Sequence, residues 1–205
     1  MLLTEYRPFK VNKQLVEESI KKNKPLRVSG IIQRAETKNQ NERVYPKKIL
    51  MREIEKYIEG PIKERRALGE LDHPESSVIN LQNVSHNIVE IKVKGNDVYG
   101  TFEILSTPAG NILKELFRNG ITVGVSSRGM GSVEENLSED GESTVTVQDD
   151  FELLCWDFVS TPSTHGAYVS PVELNEGKLP TYKYTKVNNI IRDIICDNTG
   201  VCSLC

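Results

Sequence analysis

The sequence predicts an α+β domain dominated by strands, followed by a tail of different character. Two β-rich stretches, 84–94 and 98–105, flank Gly95-Asn96-Asp97, a hairpin signature because these residue types tolerate the turn's positive φ. Two other segments carry helix start and stop residues, and the composition changes after Glu176. The predicted domain therefore runs over 1–176 and the tail over 177–205.

In chain order, a polar opening leads to Leu26-Arg-Val-Ser-Gly-Ile-Ile-Gln33, a strand by its branched residues, with Gly30 marking a bulge or a close backbone approach. The polar loop Glu36 to Arg43 follows. Pro46 suits a helix N1 position, Leu50, Ile54, Tyr57 and Ile58 share one helical face, and Gly60-Pro61 supplies a stop. Ala67-Leu-Gly-Glu-Leu-Asp-His-Pro74 reads as a short extended piece ending in a turn, since Pro74 pushes His73 out of the α region.

After the hairpin, a second helix is marked by Thr107 as N-cap, Pro108 at N1, Leu113, Leu116 and Phe117 on one face, and Gly120 past its end. Strands are expected at 121–127, 144–148 and 151–159. The chain shows no internal repeat and no low-complexity run.

Charge and hydropathy narrow the functional classes. With 26 basic and 29 acidic side chains the net charge is −3, which excludes a generally basic nucleic-acid binder. A mean hydropathy of −0.40 and the lack of any ~20-residue apolar run exclude a helical membrane span. The start, Met1-Leu2-Leu3-Thr4-Glu5, lacks a basic region followed by an apolar one, so export is not expected. Residues 177–205 carry four basic and two acidic side chains against an acidic remainder.

Of the cysteines Cys155, Cys196, Cys202 and Cys205, three lie in the last ten residues, so no disulfide framework spans the core and a reducing compartment is expected. Cys202 and Cys205 form one Cys-x-x-Cys, half of a zinc site without a second half, and the core has no paired Cys/His set. No metal or cofactor is predicted. The bare prenylation form of Cys202-Ser-Leu-Cys205 lacks the aliphatic residue and polybasic segment it needs.

Three histidines limit any imidazole-dependent chemistry. His86 alternates with Val84 and Ile88 and reads as a sheet histidine, and His165 reads as an exposed loop residue. His73 is presented from a stiffened turn, a suitable place for a base. In Val123-Gly-Val-Ser-Ser-Arg-Gly-Met-Gly-Ser132, an apolar strand runs into small residues that admit a substrate backbone. Ser126 there fits a nucleophile and Arg128 with Gly129 part of an oxyanion site, while a Gly/Ser-rich bulge explains the same residues equally well. Arg128 in place of a glycine, and histidine preceding serine, exclude the α/β-hydrolase elbow.

Asn41-Glu-Arg-Val-Tyr-Pro46, Ala67-Leu-Gly-Glu-Leu-Asp-His-Pro74, Lys94-Gly-Asn-Asp-Val-Tyr-Gly100 and Gly124-Val-Ser-Ser-Arg-Gly129, in this order, resemble the prohead core protein proteases of T-even-like tailed bacteriophages. The resemblance runs from about Leu26 to about Val169. It implies serine endopeptidases with a fold similar to the herpesvirus capsid-maturation protease, a β-barrel core surrounded by helices. It places the catalytic histidine on His73, the nucleophile on Ser126, and oxyanion or substrate contacts on Ser127, Arg128 and Gly129. Asp157 matches an acidic position and is the choice to orient His73, with Glu70 and Asp72 as local competitors.

The same resemblance implies cleavage after glutamate in Leu-x-Glu or Ile-x-Glu. The substrates would be scaffold, core and capsid proteins inside a prohead assembled in the host cytoplasm. Neither a nucleic acid nor a membrane is an expected partner, and a homo-oligomer is compatible with it. Leu174-Asn175-Glu176 falls where the composition changes, so self-cleavage after Glu176 is expected to remove the tail. Arg128, Arg43 and Lys47 are candidates to receive the glutamate. A non-catalytic prohead scaffold protein is the alternative, and a thiol or zinc-binding protein using the tail cysteines is a third.

Overall fold

A computed structural model describes residues 13–21, 25–137 and 143–172. The described chain is mixed α+β, mostly strands, in the order α1 (Lys13–Lys21), β1 (Leu26–Arg34), β2 (Arg43–Val44), α2 (Lys47–Tyr57), β3 (Leu68–Glu70), β4 (Val84–Lys94), β5 (Asp97–Ile104), α3 (Pro108–Arg118), β6 (Gly124–Met130), β7 (Val133–Leu137), β8 (Ser143–Val147), β9 (Glu152–Val159) and β10 (Val169–Pro171).

The 95–96 turn forms as expected, with Lys94 paired to Asp97 and φ of +66° at Gly95, the first central position. Along β5, Val98, Gly100, Phe102 and Ile104 alternate inward, the period of a half-buried strand. Around this hairpin an antiparallel sheet assembles in the order β10-β1-β5-β4-β3. The bulge of β1 against β5 falls between Ile31 and Gln33 rather than at Gly30. Gly30 is instead a close approach, since a Cβ there would sit 2.3 Å from the Tyr168 carbonyl oxygen. The remaining strands make a three-stranded sheet, β2-β8-β7, and a two-stranded one, β6-β9.

No closed barrel forms among the described residues, which corrects the barrel that the family resemblance implies. The β6-β9 pair meets the large sheet through single bridges, Leu71 with Phe158 and Gly124 with Tyr168, instead of continuous ladders. Asp72, at φ +72°, turns the chain just after the first bridge, and the Pro162 ring packs against Gly124 at the second.

Helix α3 starts and stops where its residues dictate. Thr107 Oγ1 accepts from the Gly110 amide at 3.1 Å, and Gly120 adopts φ +79° while the Ile121 amide reaches back to the Leu116 carbonyl. Pro46 precedes α2 as its N-cap rather than occupying N1, and Gly60-Pro61 does not stop the chain. The backbone continues as a π-helical turn over Ile58–Ile62, its i→i−5 spacing seen in Lys63 N to Ile58 O at 3.2 Å. Helix α1 and strand β7 fall in segments where the sequence predicted no element.

Trp156, Phe158, Phe102 and Phe117 are fully buried and form the centre of the core, with Phe158 5.2 Å from Phe102 and 6.1 Å from Phe117 between ring centroids. His86 completes this cluster, its ring 4.6 Å from that of Phe158. Its Nε2 donates to the Trp156 carbonyl at 3.0 Å and its Nδ1 accepts from Ser85 Oγ at 2.9 Å, which is the satisfied sheet histidine the alternation predicts. Gly69 lies opposite it in register, and a Cβ there would fall 2.2 Å from Trp156 O and 2.4 Å from His86 Nε2.

Burial pushes the His86 imidazole down to about 3, so the folded protein refuses a proton that the unfolded chain accepts below about 6.5. Stability due to neutral His86 is complete above that upper limit and falls with acidification across the window, on the order of 1 kcal/mol per pH unit. His86→Gln should remove this component, which urea midpoints of both proteins above and within the window measure.

Candidate active site

Two strands place the candidate side chains. Ser126 on β6 pairs directly with Asp157 on β9, and Arg128 pairs with Cys155, so alternation sets all four on one face of the pair. Ser127 and Trp156, the intervening partners, face the other way. Asp157 is fully buried, Ser126 and Arg128 nearly so.

His73 enters from the large sheet. After β3, Leu71 bridges to Phe158 and the Asp72 amide donates to the Phe158 carbonyl at 2.8 Å. Asp72 then takes φ +72°, a left-handed conformation that aspartate tolerates better than most residues, while its own Oδ1 accepts from the His73 amide at 2.9 Å. The turn delivers His73 Nδ1 to Asp157 Oδ2 at 2.8 Å. Because the carboxylate accepts, Nδ1 carries the proton and Nε2 of the neutral ring is left as a base. The His73 side chain is 40% exposed, which leaves it open to a substrate.

Of the three acids, Asp157 meets the imidazole, whereas Glu70 and Asp72 are engaged elsewhere. Glu70 Oε1 accepts from Arg128 Nη2 at 2.9 Å and from the Asn80 amide at 3.1 Å, and Asp72 bonds its neighbour's main chain. Asp157 Oδ1 accepts from the Glu70 amide at 3.0 Å, from Arg128 Nη2 at 3.2 Å and from Cys155 Sγ at 3.4 Å. Burial and the charge of Asp157 push the Cys155 thiol up to about 12, so it is a neutral donor here. Burial opposes the Arg128 charge, but the Glu70 hydrogen bond and the Asp157 field outweigh it and raise its pKa further.

Ser126 Oγ hydrogen-bonds Ser163 Oγ at 3.1 Å rather than His73. Ser163 has no sequence signal beyond following Pro162, and its carbonyl accepts from the Gln40 amide, which brings the 36–43 loop to the site. The Arg128 guanidinium is turned into the protein, so its side chain is withdrawn from both the oxyanion and the glutamate-binding roles. Gly129 fits its packing, because a Cβ would lie 2.5 Å from the Phe151 ring. His165 is exposed, as are Arg43 and Lys47. Glu176, Cys196, Cys202 and Cys205 lie outside the described residues. No group of three or more metal-ligating side chains occurs among the described residues.

The model of a family described as prohead core protein serine protease matches residues 8–179. The chain is 36% identical over 156 residues to the prohead core protein protease of Enterobacteria phage T4, spanning 75% of this chain and 72% of that protein. The solved structure of the bacteriophage T4 capsid assembly protease, gp21, is similar with a TM-score of 0.62 at 33% identity, covering 67% of this chain and 84% of that one.

The buried charges make unequal demands on stability. Arg128→Met strands two buried carboxylates without a cation and should cost about 3–5 kcal/mol. Asp157→Asn leaves Arg128 balanced by Glu70 and should cost clearly less. Denaturant midpoints of the two variants test this order.

Proposed function

Because the chain belongs to the prohead core protein serine protease family, we propose that it is a serine endopeptidase of phage capsid maturation, with Ser126 as nucleophile, His73 as base and Asp157 as the group that orients it. The observation that supports this most is the His73 Nδ1 to Asp157 Oδ2 bond of 2.8 Å, formed beside Ser126 on the strand paired with Asp157. The relatives are named as a prohead core protease and a capsid assembly protease.

In this reading Ser126 Oγ leaves Ser163, attacks the scissile carbonyl carbon and passes its proton to His73 Nε2. The peptide C–N bond breaks as His73 returns that proton to the leaving amine, and an ester on Ser126 remains. Water then attacks the ester, His73 takes its proton, and the acid product departs as Ser126 regains a hydrogen. The buried Asp157 carboxylate favours the imidazolium formed at each half-reaction. With the guanidinium committed, oxyanion stabilisation falls to main-chain amides of the Ser127–Gly129 segment. Arg43, which opens β2, and Lys47, which opens α2, are exposed and remain the basic candidates for a substrate glutamate.

The substrates are prohead scaffold, core and capsid proteins cut after glutamate in Leu-x-Glu or Ile-x-Glu, and the enzyme acts inside the prohead. Self-cleavage after Glu176 removes the tail. The relation to herpesvirus capsid-maturation proteases is part of the same proposal and rests on the resemblance of the sequence motifs.

Intact masses of wild type, Ser126→Ala and His73→Ala after purification test the proposal. Wild type alone should lose a C-terminal fragment, leaving Glu176 as its new end. Cleavage of all three at the same position would assign the cut to a host protease and remove self-processing from the proposal. Activity of Ser126→Ala on a Leu-x-Glu peptide would overturn the nucleophile.

A further inference from the structure

Arg128 is two residues from the proposed nucleophile, yet its side chain is only 7% exposed and its donors point to protein acceptors. Nη1 donates to the Ser76 carbonyl at 2.6 Å, and Nη2 donates to Glu70 Oε1 at 2.9 Å and to Asp157 Oδ1 at 3.2 Å. Nε lies 3.0 Å from Asp157 Oδ2, an ion-pair contact outside hydrogen-bond geometry.

We propose that Arg128 is a positioning residue of the hydrolytic site: its guanidinium, clamped by Glu70, fixes the Asp157 carboxylate toward His73 and fastens the loop that leaves His73 to the same point. The inference rests on the reading of His73 and Asp157 given above and adds a residue to it.

A carboxylate turns easily about its last torsion, which is broad and two-fold. Asp157 Oδ2 is the atom that meets His73, and a small rotation would spoil that bond. Oδ1 is held by the Glu70 amide and by Nη2, while the charged Nε stands 3.0 Å from Oδ2, so both oxygens are fixed, one by hydrogen bonds and one by charge. A lysine ammonium supplies the charge without the spread of donors that reaches Ser76, Glu70 and Asp157 at once.

The charge count favours the same role. Glu70 and Asp157, both fully buried, share one guanidinium, so the cluster holds one surplus negative charge while His73 is neutral. A proton on His73 cancels it, which is the change the reaction requires. The Glu70 carboxylate meets Arg128 and the Asn80 amide and neither His73 nor the Asp157 side chain, so its charge acts on the site through Arg128.

The segment that follows His73 is attached to this cluster twice. Ser76 receives Nη1 at its carbonyl, and the Asn80 amide donates to the Glu70 oxygen that holds Nη2. One guanidinium therefore sets both the partner of the imidazole and the path of the chain beyond it.

The test compares wild type, Arg128→Lys, Glu70→Gln and Asp157→Asn on a Leu-x-Glu peptide, with melting temperatures as the control for folding. Arg128→Lys should lower kcat by about tenfold to a hundredfold while KM changes little, because the lost element is alignment and not substrate binding. A rise in KM alone would make Arg128 a substrate contact and overturn the inference. Wild-type kcat in Arg128→Lys, with Asp157→Asn inactive, would overturn it and leave the His73–Asp157 reading standing. Full activity in Asp157→Asn would overturn both.

Glu70→Gln keeps shape and an acceptor oxygen, and it probes the clamp without turnover. In the Ser126→Ala background, the proton NMR resonance of His73 Nδ1–H should shift or broaden when Glu70→Gln is added. An unchanged resonance would overturn the inference even where the lysine variant fails to fold.

Discussion

A carboxylate with no solvent exposure is costly to keep ionised, and much of the arrangement around Asp157 follows from meeting that cost. Its donors are the Glu70 amide from β3, the His73 ring from the turn after it, Arg128 from β6 and the Cys155 thiol from its own strand. The Glu70 and His73 contacts are also fold contacts, tying the five-stranded sheet to the β6-β9 pair. Folding and assembly of the site are therefore a single event, since the carboxylate is tolerable only once these elements have met.

The opposite face of β9 solves a different problem. Trp156 and Phe158 point into an aromatic core, and neutral His86 sits among them because it is satisfied at both nitrogens. Gly69 allows this packing, its missing side chain leaving room for the Trp156 carbonyl and the His86 ring. One strand thus presents an ionic face to the proposed chemistry and an apolar face to the core. The alternation of residues 155 to 158 is what separates them.

Local chemistry was legible in the sequence wherever a residue type has one strong preference. Thr107, Pro108, Gly120 and the Gly95-Asn96 turn all appear where their backbone preferences place them. Gly60-Pro61 misled because a proline can be absorbed by a wider turn, and α1 was missed in a polar opening without clear caps. The family motifs pointed to His73 and Ser126 and left Asp157 beside Glu70 and Asp72 as the third group, because the meeting of His73 with Asp157 is tertiary. Arg128 was read as a substrate contact from its neighbours in sequence, when its destination is set by Glu70, 58 residues away. Ser163 had no signal because a loop serine is among the commonest of surface residues.

His73 and Ser126 are carried by different sheets, and the backbone pairing between those sheets on the His73 side is one bridge and the Asp72 amide. The placement of His73 against Asp157 therefore depends on a few main-chain atoms at Leu71, Asp72 and Phe158 and on the Arg128 and Glu70 contacts around them, not on the length of any ladder. A small change of main-chain path in the short Leu71-Asp72-His73 segment would move the imidazole away from Asp157, whatever the extent of pairing within either sheet.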